Sequence, residues 1–220
     1  MDFYDITNFL TYLSPILLFG GVVLGSCYFW KIGVLYKIIV YYLFGMLAID
    51  ISARAYGEIY GSNLLFIPIL GFVELLAFFC FYFYSGILES RKKSVFLGMI
   101  FLVSSAFMAW EFTSISSSAA LEGFQSYSKV LSTFLIVMLA IDFFISKILS
   151  SKNITKDLFF LNSVIIMYFS LVLIIFIPID FLINDATGVK YYIWFANLLF
   201  TLVFYVLLIL SIWKIGKARG

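Results

Sequence analysis

Seven long apolar runs, separated by short loops, fill almost the whole chain. A helix needs about 20 apolar residues to cross a hydrocarbon core about 30 Å thick. Inside lipid, only helices and closed barrels satisfy their own backbone hydrogen bonds. The runs at 9–30, 34–56, 64–88, 95–112, 128–149, 158–182 and 191–213 predict an all-α, polytopic membrane protein, a seven-helix bundle forming one domain over residues 1–220. Hydrophobic residues make up 64% of the chain and charged residues 12%. A soluble domain carries about 25% charged residues and has no interior large enough for this many apolar side chains. The opening Met1-Asp2-Phe3-Tyr4-Asp5 lacks the basic start of a cleavable signal, so the first run is expected to remain as a span.

The fourteen basic residues set a direction. Lys31, Lys37, Arg91, Lys92, Lys93, Lys147, Lys152, Lys156, Lys214, Lys217 and Arg219 fall on one side of the predicted spans, and only Arg54, Lys129 and Lys190 on the other. By the positive-inside rule the N-terminus is expected outside and the C-terminus in the cytoplasm. The expected location is the bacterial inner membrane. The opposite loops carry acids instead, among them Asp2, Asp5, Glu58, Glu122 and Asp185.

Composition also removes chemistries. Histidine is absent, which excludes imidazole metal sites, Ser-His-Asp triads and imidazole proton relays. Cys27 and Cys80 are too few for a zinc site and are expected as packed free thiols. No cofactor or metal is expected, and no nucleic-acid partner either, because the basic residues flank apolar spans. Gly20, Gly21, Gly25, Gly45, Gly71 and Gly98 are candidates for close helix approach, and Pro15, Pro68 and Pro178 for kinks or first turns.

An ionisable side chain within a span costs about 2.5–3.5 kcal/mol on insertion scales, so it normally faces protein or water. Asp50 and Arg54 stand four residues apart, the spacing of an ion pair on one helix face. Glu74 falls near the middle of the third span and Asp142 in the inner half of the fifth, where Ser146 is a candidate partner. Glu111 and Asp180 are placed near outer helix ends, within reach of water. At 1.5 Å per residue, Asp50 lies roughly 10 Å and Glu74 roughly 15 Å below the loop joining the second and third spans. Arg54 is thus expected to bridge down to Asp50 and lean toward Glu74. Trp194, Asn197, Thr201 and Tyr205 share one face of the last span, while Asn162 and Asp180 share a face of the sixth. The expected ligand-binding set is Asp50, Arg54, Glu74, Asn162, Trp194 and Asn197, around a polar pocket that opens outward.

Seven spans invite comparison with retinal proteins, but the last span holds no lysine before Lys214 to carry a Schiff base. A rhomboid-type protease would need a histidine. The segment 63–76, with Pro68, Gly71 and Glu74, resembles a small seven-helix membrane family of Bacteroidota, as do 162–178 and 192–214 with Asn162, Trp194 and Asn197. Members of that family are often encoded beside sensor histidine kinases. They commonly carry a histidine before the third-span glutamate, which this chain lacks.

The resemblance implies a membrane sensory or accessory role. The leading expectation is a non-enzymatic sensor that couples the pocket to a cytoplasmic signalling protein such as a histidine kinase. Arg91, Lys92, Lys93, Lys214 and Lys217 are its expected contacts. The bilayer, and a second copy of the chain, are further expected partners. The alternative is a small transporter or ion or proton channel, including a membrane effector of a defence system, with Glu74 and Asp142 marking the route.

Overall fold

The computed structural model describes residues 3–86, 91–117, 127–149, 155–177 and 189–218. Among the described residues it contains seven helices and no strand. They are α1 (Phe3–Tyr28), α2 (Val34–Tyr60), α3 (Phe66–Tyr84), α4 (Arg91–Ser117), α5 (Tyr127–Leu149), α6 (Lys156–Phe176) and α7 (Val189–Ala218). Each holds a stretch long and apolar enough to cross a membrane. Large apolar side chains cover the outside: Phe19, Phe44, Val103, Ile148 and Ile174 are 59–70% exposed. A soluble monomer rarely exposes apolar patches on this scale, whereas lipid favours them. The chain is a multi-pass membrane protein.

Each helix packs against the next, and the connections are short enough to make neighbours antiparallel. Contacts between α1 and α7, and between α3 and α5, close α1, α2, α3, α5, α6 and α7 into a ring. Helix α4 lies outside it, against α3 and α5. The ring is filled by aromatic side chains from four helices. Tyr42 of α2 lies 5.1 Å from Phe78 of α3, and Phe78 lies 5.0 Å from Phe169 of α6. Tyr168 of α6 stacks on Phe204 of α7 with ring centres 3.9 Å apart. Offset and edge contacts of this kind add to what area burial alone supplies.

Two glycines permit close helix approaches that bear on the core and the site. A Cβ on Gly25 would sit 2.6 Å from a methyl of Val40, so α1 meets α2 there only through a bare backbone. A Cβ on Gly71 would lie 3.0 Å from Ser132 Oγ and 3.6 Å from the Lys129 Cα, which brings α5 alongside α3. Small residues allow such approach in membrane bundles. Gly20 and Gly98 face open space and carry no such contact.

Several helix ends differ from expectation, each for a local reason. Helix α3 stops at Tyr84, short of residue 88, where Gly86 takes a positive φ of 80°. Helix α2 runs on to Tyr60 and ends at Gly61, with φ 75°. Helix α6 starts at Lys156 because the Thr155 hydroxyl accepts from the Leu158 N–H at 3.4 Å. Helix α4 spans Arg91–Ser117 rather than 95–112, because both of its polar ends find partners inside the bundle: Lys93 at one and Glu111 at the other. Cys27 is exposed on the outer surface of α1 rather than packed, and Cys80 is half-buried. Asp180, Asp185, Glu122 and Pro178 lie outside the described residues.

Candidate functional site

A cavity of about 540 Å³ occupies one end of the ring, beside the α2–α3 connection. All six ring helices line it, with α4 excluded. Asp50, Glu74, Trp194 and Asn197, four of the six residues expected to bind a ligand, open onto it together. So do Thr201 and Tyr205 from the α7 stripe. Below it, Tyr42, Phe78, Phe169 and Phe204 form the aromatic plug of the core.

Glu74 is fixed at the wall by an ion pair with Lys129, not with Arg54 as its depth suggested. The two side chains are 1% and 4% exposed. Gly71, one turn before Glu74, lets the α5 backbone approach α3, so the Lys129 side chain starts close to the carboxylate and has only to reach along the helix. Lysine in the first turn of a helix opposes the helix dipole. Two carboxylates offset that at the start of α5. Glu74 takes the ammonium, and Glu111 accepts the Ser128 backbone N–H at 2.7 Å. Glu111 is therefore buried against α5 rather than reaching water. Lys129 also lies over the Phe176 ring, 5.9 Å from its centre. One carboxylate oxygen of Glu74, Oε1, has no hydrogen-bond partner among the described residues.

Arg54 does pair with Asp50, through Nε at 3.1 Å and a second nitrogen at 3.2 Å. Its remaining reach goes to α1 instead of α3. It donates to the Thr11 carbonyl at 2.7 Å and covers the Tyr12 ring. The cause lies four residues further along α1, at Pro15. Proline has no N–H, so the Thr11 carbonyl lacks its usual helical donor, and the guanidinium supplies one. Thr7, Thr11 and Ser14, at helical spacing on α1, then line the cavity beside Asp50.

On α7, the Thr201 hydroxyl donates to the Asn197 carbonyl at 2.8 Å and lies 3.3 Å from the Tyr168 hydroxyl. The side-chain carbonyl of Asn197 has no partner among the described residues. Trp194 packs edge-on to Phe176 near the cavity mouth.

Asn162 does not belong to this site. It is fully buried elsewhere, accepting from the Tyr82 hydroxyl at 2.8 Å and donating to the Ala140 carbonyl at 3.2 Å, which ties α6 to α3 and α5. Asp142 pairs with Lys93 rather than Ser146, with its two oxygens 2.6 and 2.8 Å from the ammonium. Helix α4 begins four residues earlier than expected, and this brings Lys93 beside α5. The Lys93–Asp142 pair sits at a separate apolar cavity of about 370 Å³ between α3, α4 and α5. Glu74 and Asp142 thus line different cavities, with buried Leu75, Phe78 and Ile136 in the α3–α5 layer around them.

Of the residues expected to contact a partner, Lys93 is engaged as described. Lys214 stays 71% exposed while pairing with Asp157, and Lys217 covers the Trp213 ring. The side chains of Arg91 and Lys92 lie outside the described residues. No three His, Cys, Asp or Glu side chains come together as a metal site among the described residues.

Sequence reasoning used Lys129 only to orient the spans, and missed Tyr168 and the α1 wall. The signals were present: a lone lysine just inside an apolar run, and threonines spaced ahead of a proline. No protein-family model, curated protein or solved structure matches the chain.

Proposed function

We propose that this chain is a non-enzymatic membrane sensor or accessory subunit whose cavity binds a small ligand and whose opposite end meets a cytoplasmic signalling partner. One observation carries the reading. The cavity gathers Asp50, Glu74, Lys129, Trp194 and Asn197 from four helices and touches two more, so an occupant contacts the whole ring at once. A ligand shifts a conformational equilibrium only through contacts that differ between states, and a site shared by six helices offers many such contacts. Lys31, Lys37, Lys147, Lys214 and Lys217 cluster at the ends of helices opposite the cavity. The positive-inside rule makes that end cytoplasmic and the cavity outward-facing, in a bacterial inner membrane. The resemblance of 63–76, 162–178 and 192–214 to a family encoded beside histidine kinases suggests the class of partner.

Transport is the competing reading. The separation of Glu74 from Asp142 by apolar packing supplies no continuous polar route between them and favours binding. The test is tagged purification from native membranes in mild detergent, with mass spectrometry of what co-elutes. A kinase or other signalling protein retained by the wild type, and lost when Ala53→Phe fills the cavity, is the expected result. A homogeneous protein with no partner, together with proton or ion flux in liposomes abolished by Glu74→Gln, overturns it.

A further inference from the structure

The cavity's charges cancel in pairs. Asp50 holds Arg54, and Glu74 holds Lys129. A ligand bearing a net charge would leave its own hydration without meeting an unbalanced counter-charge, which is costly in a low-dielectric site. The buried polar atoms left over at the wall, Glu74 Oε1 and the Asn197 side-chain carbonyl, are both acceptors. They call for a donor. Beside Glu74, the Lys129 ammonium has three N–H groups, of which the carboxylate takes one. A hydroxyl satisfies both neighbours, donating to the carboxylate oxygen and accepting from the ammonium. Much of the remaining wall is aromatic or aliphatic, from Phe66, Tyr168, Phe176 and Trp194 to Leu70 and Val172. The volume of about 540 Å³ falls within the range of roughly 300–1,000 Å³ for small-molecule pockets.

Resting on the reading of this cavity as a ligand site, we infer that it takes an uncharged molecule with a ring-sized apolar body and a hydroxyl donor, an aromatic or alicyclic alcohol, with the hydroxyl seated at Glu74.

The experiment uses the full chain in detergent and four probes of one shape: 4-propylphenol, 4-propylanisole, 4-propylbenzylammonium and 4-propylbenzoate. The readout is the thermal unfolding midpoint against probe concentration, in wild type and in two cavity-filling variants, Ala53→Phe and Leu198→Trp. The variants separate occupancy of the cavity from partition into the micelle. The phenol is expected to raise the midpoint in wild type but in neither filled variant. The anisole, which cannot donate, is expected to need about tenfold more for the same shift, the factor that one lost hydrogen bond confers. If either charged probe acts as well as the phenol, and only with the cavity open, the inference of an uncharged donor is overturned while the ligand site stands. If the anisole equals the phenol, the hydroxyl assignment fails in the same way. If no probe distinguishes wild type from the filled variants, both the inference and the ligand site are overturned.

Discussion

The ammonium of Lys129, at the start of α5, meets the carboxylate of Glu74, in the middle of α3, and neither side chain is more than 4% exposed. Two opposite charges without water stabilise each other only while both are present. Removing one partner of such a pair typically costs about 3–5 kcal/mol, whereas replacing both by apolar groups of similar size is often neutral. Lys129→Met is therefore expected to lower the unfolding midpoint sharply, and Glu74→Met/Lys129→Met to recover most of the loss. Thermal unfolding of the three proteins in one detergent checks this. A double variant as unstable as Lys129→Met would show that the pair does not act as a unit.

Gly71 makes that meeting geometrically available. A Cβ there would press on Ser132 Oγ at 3.0 Å. Gly71→Ala is expected to cost about 1–3 kcal/mol, the usual penalty for overpacking a tight contact. Ser132→Ala removes the obstructing oxygen and is expected to return part of that loss when combined with it. Additive losses in the double variant would place the strain elsewhere.

Asn162 provides a contrast, being polar and buried but away from the cavity. Asn162→Leu leaves the Tyr82 hydroxyl without its acceptor and removes the second bond to the Ala140 carbonyl, which keeps its helical donor. The buried hydroxyl so orphaned costs about 1–3 kcal/mol. The variant is expected to melt earlier while binding 4-propylphenol as the wild type does. A selective loss of binding would bring Asn162 back into the site.

The direction of the bundle can be read with single cysteines in a background where Cys27 and Cys80 are serine. Glu58 is exposed at the cavity end and Lys217 at the other. With a membrane-impermeant maleimide on intact cells, Glu58→Cys is expected to label and Lys217→Cys to label only after lysis. The reverse pattern would invert the topology.

Hydropathy alone carried the seven helices, because lipid imposes one length and one solution on every span. The Asp50–Arg54 pair was equally legible, since both charges lie on one helix four residues apart. Glu74 and Lys129 were not, because 55 residues separate them and their meeting depends on α4 standing outside the ring. Helix α3 packs against α4 as chain order implies, but its further pairing with α5 is a tertiary fact no local pattern encodes. Asn162 shows the same limit in reverse. The face it shares with Asp180 suggests a ligand site, but the Tyr82 hydroxyl from another helix already donates to it.

Pro15 bears on how the first helix is able to move. It is the proline within α1, so the helix interior offers one carbonyl, that of Thr11, released from its own ladder. Arg54 fits that carbonyl and would find no equivalent a turn above or below. Sliding of α1 along α2 by a turn in either direction therefore breaks this bond without offering a replacement. Rotation or tilt of the two helices about the Gly25–Val40 crossing keeps that bond, so such a movement costs less than a shift along the axis.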